Sequence, residues 1–311
     1  MSQHTASGPM GSTPSHREVA VAWALWGALL VAMFITYVRL EPAELYHVSG
    51  DGLTGGLSRV LVETNYPIAL VAIALVLIAL DSLPVRAWWI GGPALVLCAV
   101  TVWPGVVDDG DLDARPVNVV PAIGVLLALG LCVAAVTRSG TGTASRRPLD
   151  RLRLTIVIVV TLLSLPWIFA DLGVFAPEWV FIMERPITGS DGNVMTAVHL
   201  GHHHGLDGAL LAITAVLLSR ISVRSSGLAL ATRWYLSLLF AYGAVNFVQD
   251  LWHEQVVKRG WSDWKVPSAT NPSITPIWLV ILAIAAGTAL VLHRESLRLV
   301  DADRAGDHAG G

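Results

Sequence analysis

The sequence predicts an all-α protein, a polytopic membrane bundle of about eight transmembrane helices with its N- and C-termini cytoplasmic. Three observations lead there. Of 311 residues, 54% are hydrophobic and 14% charged, whereas a water-facing domain carries roughly a quarter charged residues. The mean hydropathy is +0.63. The apolar residues fall into long runs separated by short polar connections, the pattern of repeated crossings rather than of one buried core.

A helix needs roughly 20 apolar residues to cross a hydrocarbon core of about 30 Å. Eight runs reach or approach that length, at 19–38, 60–80, 87–103, 117–137, 154–174, 196–219, 229–252 and 274–293. The first is too long for the core of a signal peptide and no small-residue cleavage site follows it, so it reads as a span. The third is short and stops at Pro104 and Gly105. Pro67 and Pro166 interrupt the second and fifth runs, where they free backbone carbonyls. Residues 1–18 and 300–311 are rich in Gly, Ser, Pro, Asp and His and read as disordered tails. Between them, 19–299 forms one transmembrane domain, or two four-helix halves joined at the basic stretch 138–153. Cys98 and Cys132 both sit inside apolar runs, which excludes a disulfide framework and a cysteine zinc motif.

Orientation follows from the basic residues, because loops rich in Lys and Arg stay on the cytoplasmic side. With the N-terminus inside, the inner segments collect Arg17, Arg86, the arginines of 138–153, those of 220–233 and those of 294–304. The acidic stretch Asp108, Asp109, Asp111 and Asp113 then falls outside. Tryptophans such as Trp88, Trp89, Trp261 and Trp264 lie near the expected interfaces, as an aromatic belt does. A net charge of -3, from 23 acids and 20 bases, excludes a nucleic-acid partner. The expected partners are the lipid bilayer and an amphiphilic small-molecule substrate; oligomeric state is not legible. Arg outnumbers Lys 18 to 2, which with the Ala and Val richness points to a multi-pass protein of a bacterial plasma membrane.

Function must be read from polar residues where lipid disfavours them, since a charge at mid-membrane costs about 2.5–3.5 kcal/mol on insertion scales. On the orientation above, four helices bring such residues to one outer layer. They are Glu63 and Asn65 on the second; Asp171 on the fifth; His199, His202, His203 and Asp207 on the sixth; and Asn246, Asp250, His253 and Glu254 on the seventh. With the sixth run helical throughout, steps of about 100° place His199, His202, His203 and Asp207 on one face. Gly201, Gly205 and Gly208 then form a small-residue stripe opposite them, with His204 beside it. The same step puts Gln249, Asp250, His253 and Glu254 on one face of the seventh helix. The short 220–227 connection makes these two helices antiparallel neighbours.

His199 and His203 have the His-x3-His spacing that chelates an ion from one helical face, and His253 adds a third imidazole. Glu63, Asp171, Asp250 and Glu254 are the candidate catalytic carboxylates, with His202 and Asp207 as further metal ligands. Zinc in such a shell lowers the pKa of bound water to about 7 and serves hydrolysis; iron would favour oxygen chemistry. A bis-histidine haem, between His199 or His203 and His253, fits less well because acids would line its slot. His199-x2-His202-His203 resembles one histidine box of the membrane desaturases and hydroxylases over five residues. Those enzymes carry several boxes and this chain has one. Asn246-x3-Asp250-x3-Glu254 resembles the magnesium triad of diphosphate-processing terpene enzymes, with Asp108, Asp109 and Asp111 as an aspartate-rich counterpart, but both would face away from the cytosol. The leading expectation is a metal-dependent membrane enzyme, a hydrolase or an oxidoreductase, acting on a lipid or other amphiphile. The alternatives are a transporter, or a metal- or haem-handling assembly factor, using the same cluster.

Overall fold

The computed structural model describes residues 16–108, 111–139, 146–175, 185–188 and 194–309. Residues 1–15 of the expected N-terminal tail, Asp109 and residues 140–145 of the 138–153 stretch lie outside them. The protein is an all-α bundle: α1 (Arg17–Arg39), α2 (Gly52–Glu63), α3 (Ala69–Ser82), α4 (Trp88–Ala99), α5 (Val119–Ser139), α6 (Asp150–Asp171), α7 (His204–Leu218), α8 (Ser226–Trp252) and α9 (Pro276–Ala309). Pro186–Thr188 and Val194–Thr196 add one short antiparallel hairpin.

Among the described residues, seven helical segments are long and apolar enough to cross a membrane. Six match expected runs closely, while the second is longer than expected because α2 continues into α3 as Gly52–Ser82. Pro67 interrupts it: Tyr66 leaves helical geometry and a widened turn spans Thr64–Ile68, as the restriction on a residue preceding proline requires. Pro166 sits inside α6, which continues to Asp171. The sixth expected run, 196–219, is corrected. Only His204–Leu218 is helical, and 15 residues is too short for a full crossing. The last helix runs to Ala309, through residues expected as a C-terminal tail.

Packing centres on α3, whose sequence is apolar all round and whose residues from Ala69 to Leu80 are mostly buried; such a helix belongs inside a bundle. It touches α4, α5 and α8, while α1 touches α7. Contacts therefore run across the position expected to join two halves. α7 and α8 pack backbone against backbone: a Cβ on Gly208 would lie 2.6 Å from the Gly243 carbonyl oxygen. Small residues allow this approach where lipid supplies no hydrophobic drive between helices.

Ion pairs tie the helix ends at one rim. Arg220 reaches Glu18 and Asp150, each at 2.9 Å. Arg153 makes a two-pronged contact with Glu295 at 2.6 and 2.9 Å. The Asp81 carboxylate accepts the backbone N–H groups of Arg224 and Ser225. The starts of α1, α6 and α8 and the ends of α3 and α7 thus meet at this rim. His199, His202, His203 and His204 gather with a second set of acids at the other.

Candidate metal centre

The connection leading into α7 builds the site, and three local features hold it out of helical form. Gly201 has φ +95°, a left-handed conformation, and an added Cβ would sit 2.7 Å from the Tyr37 hydroxyl; glycine alone fits there. Its N–H donates to the Ala170 carbonyl at 2.8 Å. The His202 N–H donates to the Tyr37 hydroxyl at 3.0 Å. These anchors turn His202 and His203, adjacent in sequence, toward two different groups of carboxylates.

The first group is Glu63 of α2, His202 and Asp207 of α7, all buried, with ligand atoms within 4.8 Å of one another. The His202 Nε2 lies 2.6 Å from Asp207 Oδ1 and 3.7 Å from Glu63 Oε1. Its Nδ1 lies 2.8 Å from Asp171 Oδ1. Neither Glu63 oxygen has a hydrogen-bond donor, and the neighbouring Arg59 stays at 3.7 Å. A buried carboxylate without donors is strongly disfavoured. Burial by itself would lower the His202 pKa, yet Asp207, Glu63 and Asp171 carry it well above the ordinary value. The carboxylates call for positive charge at the imidazole, and a bound cation meets the same demand.

The second group is His203 with Asp250 and Glu254 of α8, again buried and within 4.8 Å. A widened turn over His253–Val257 ends α8. It breaks the 100° register there: Glu254 stays with Asp250 at the cavity, as expected, while His253 does not line it. The structure places His253 in neither cluster and outside the cavity lining, so it does not supply the expected third imidazole or the expected haem pairing there. His199 stacks on His203, ring centroids 4.2 Å apart, and on Tyr46 at 4.7 Å. Burial, then the neighbouring His203, pushes the His199 imidazole down to about 3; burial pushes His203 down to about 4. Both lie in the connection outside the spanning helices, and both are neutral imidazoles, the form a metal binds.

His202 and Asp207 of the first group and all three residues of the second line one cavity of about 340 Å³, with Glu63 and Asp171 reaching it only through their contacts with His202. Arg59 and Lys258 also line it, and Asp108, Asp111 and Asp113 stand at its edge. The structure therefore brings together Glu63, Asp171, His199, His202, His203, Asp207, Asp250 and Glu254. The one-face geometry expected for His199, His202 and His203 is overturned, since none of them is in a helix. The glycine stripe is corrected too. Gly205 faces Asp250 and Trp167, and Gly208 faces Gly243 and Phe247, so they pack on the site helix α8 rather than away from it. His204 is half-exposed and meets Gln249 at 3.1 Å. Asn246 spends its amide on the Tyr242 carbonyl.

Sequence reasoning missed Tyr37, Arg59, Trp167 and Lys258. Arg59 lay one residue before the expected start of its span, and its i,i+4 relation to Glu63 was the available signal. Trp167, whose Nε1 donates to Glu254 Oε2 at 2.6 Å, gave no signal beyond being apolar.

Fold and site together define a membrane-type helical bundle whose His and carboxylate groups are positioned to hold a metal ion. Comparison with protein families, with curated proteins and with solved structures gives no match.

Proposed function

We propose that this protein is a metal-dependent membrane enzyme, a hydrolase acting on an amphiphile that reaches the site from the lipid. The observation that carries this reading is the Glu63–His202–Asp207 group: two carboxylates and an imidazole, buried, converging, with both Glu63 oxygens lacking donors. Asp171 on the far nitrogen of His202 completes the carboxylate–histidine–metal arrangement that fixes a ligand's tautomer and orientation. Three protein ligands leave an open position for water, and an ion such as zinc supplies a hydroxide near neutral pH.

The substrate class is supported by the surroundings. The cavity shares Tyr66, Val107 and Thr270 with an apolar groove of about 390 Å³ between α3, α8 and α9. A hydrocarbon chain fits that groove while the polar head occupies the cavity. Transport fits less well, because no Asp, Glu, Lys or Arg lies between Glu63 and Asp81, Arg153 and Asp171, Asp207 and Arg220, or Arg233 and Asp250. The helices thus offer no charged path between the two rims. On the expected topology the site faces the extracytoplasmic side of a bacterial plasma membrane.

The test is metal analysis of the purified, detergent-solubilised protein beside Glu63→Gln and His202→Ala. We expect a stoichiometric divalent ion in the wild type and its loss from both variants. A metal-free wild type after reloading with zinc or iron, or a Glu63→Gln variant that keeps every ion, refutes the proposal.

A further inference from the structure

We infer that the protein holds a second divalent cation, at His203, Asp250 and Glu254, on the same cavity as the first. The inference rests on the metal-centre reading above, but on different residues. Each of the three ligands has one end tied and the other directed inward. The His203 Nε2 lies 3.0 Å from the His199 carbonyl oxygen, which only accepts, so that nitrogen carries the proton and Nδ1 presents its lone pair. Glu254 Oε2 accepts from the Trp167 indole N–H at 2.6 Å. Asp250 Oδ2 accepts from the Gly205 N–H at 2.9 Å.

What remains is a set of inward-facing acceptors. The His203 Nδ1 lone pair faces Glu254 Oε1 at 3.3 Å, an acceptor against an acceptor, with both side chains at most 3% exposed. Asp250 adds a third acceptor within 4.8 Å of both. Lys258 lies 3.7 Å from Glu254 Oε1, but its ammonium is held by the Ala197 carbonyl at 2.5 Å; His204 Nε2 lies 3.8 Å from Asp250 Oδ1 but is engaged more closely by Gln249 Oε1 at 3.1 Å. The converging carboxylates, the inward-facing His203 Nδ1 and the mixed nitrogen and oxygen donors are the chemistry of a divalent ion such as zinc, manganese or iron. The tied ends serve as the outer supports such ligands need.

With an ion in each of its two groups, the cavity can hold both oxygens of a substrate's anionic or ester head, one at each ion. This is the role a second metal plays in paired sites. The peptide order makes the pairing natural: His202 and His203 are successive residues whose side chains the Gly201 turn sends to opposite groups.

The experiment is cobalt(II) reloading of chelator-stripped protein, with ions per chain counted by elemental analysis. The variants are Glu254→Gln, Asp250→Asn and His202→Ala. Glutamine and asparagine keep an oxygen for the Trp167 and Gly205 donors, and the Asp250 variant serves if the Glu254 variant does not fold. Two ions in the wild type, one in each single variant and none in His202→Ala/Glu254→Gln are expected. One ion in the wild type, kept by both α8 variants and lost from His202→Ala, overturns the second site and leaves the first intact. Loss of both ions from either α8 variant alone merges the groups into one site and overturns the inference. A wild type that binds none overturns both readings.

Discussion

Replacing Gly205 by alanine adds one carbon at the point where α7 meets the second group, and the structure fixes where that carbon goes. It would lie 2.5 Å from Asp250 Oδ2, 2.6 Å from the Trp167 ring edge and 2.8 Å from the Asp250 Cβ. Ordinary carbon contacts begin at about 3.5 Å, so the neighbours must retreat by about 1 Å. Asp250 is bound to this same residue through the Gly205 N–H. Trp167 anchors Glu254 and lies over the His203 ring. The shift therefore reaches all three ligands of the second group although none is changed. Overpacking of this kind costs about 1–3 kcal/mol, against about 1 kcal/mol gained from alanine's better helix propensity. Disturbed outer supports typically cost 10–100-fold in metal affinity. Cobalt titration in detergent should show the weaker of two sites losing affinity by about that factor, with a lowered melting temperature. Gly27→Ala and Gly287→Ala, where a Cβ meets nothing within 4 Å, should bind like the wild type and melt no lower. If Gly205→Ala behaves as they do, the close packing of α7 on Asp250 and Trp167 does not support the ligands.

Further outcomes follow from other contacts. Asp171→Asn removes the carboxylate from His202 Nδ1 and should weaken the first ion by about 10–100-fold, measured by competition with a chelator, while leaving the His203 group loaded. Arg153→Ala strands Glu295 at the opposite rim; breaking a buried pair costs about 3–5 kcal/mol, and Arg153→Met/Glu295→Met should recover part of the lost melting temperature. A pair whose double variant melts no higher than the single one contributes nothing as an ion pair. For topology, a cysteine at Asp263 should react with an impermeant thiol reagent on intact cells and one at Ser222 should not, Cys98 and Cys132 being buried. The reverse pattern would turn the cavity toward the cytosol.

The fold class was legible because hydropathy reports on solvent, and lipid imposes it along whole helices. Six of the seven membrane-length segments could be read from apolar length alone. The layer of the site was legible for the same reason: acids and histidines in apolar runs are rare enough that Glu63, Asp171, Asp207, Asp250 and Glu254 stood out. Which face each one used was not legible, because the 100° step presumes an unbroken helix. That presumption fails twice, both times at the site. Residues 196–203 continue an apolar run and read as helix, but Gly201 takes a left-handed conformation, and its own N–H and that of His202 are satisfied by Ala170 and Tyr37, partners more than 30 residues away in sequence. No local pattern announces such partners. At the end of α8 a widened turn leaves Glu254 at the cavity, as expected, but takes His253, expected on the same face, off its lining. Irregular backbone at membrane depth is tolerated where it lines a cavity rather than faces lipid, so the residues that escaped the helical wheel are those that build the centre. The broken helix is what allows two successive histidines, which a continuous helix would separate by about 100°, to join two different carboxylate groups on one cavity.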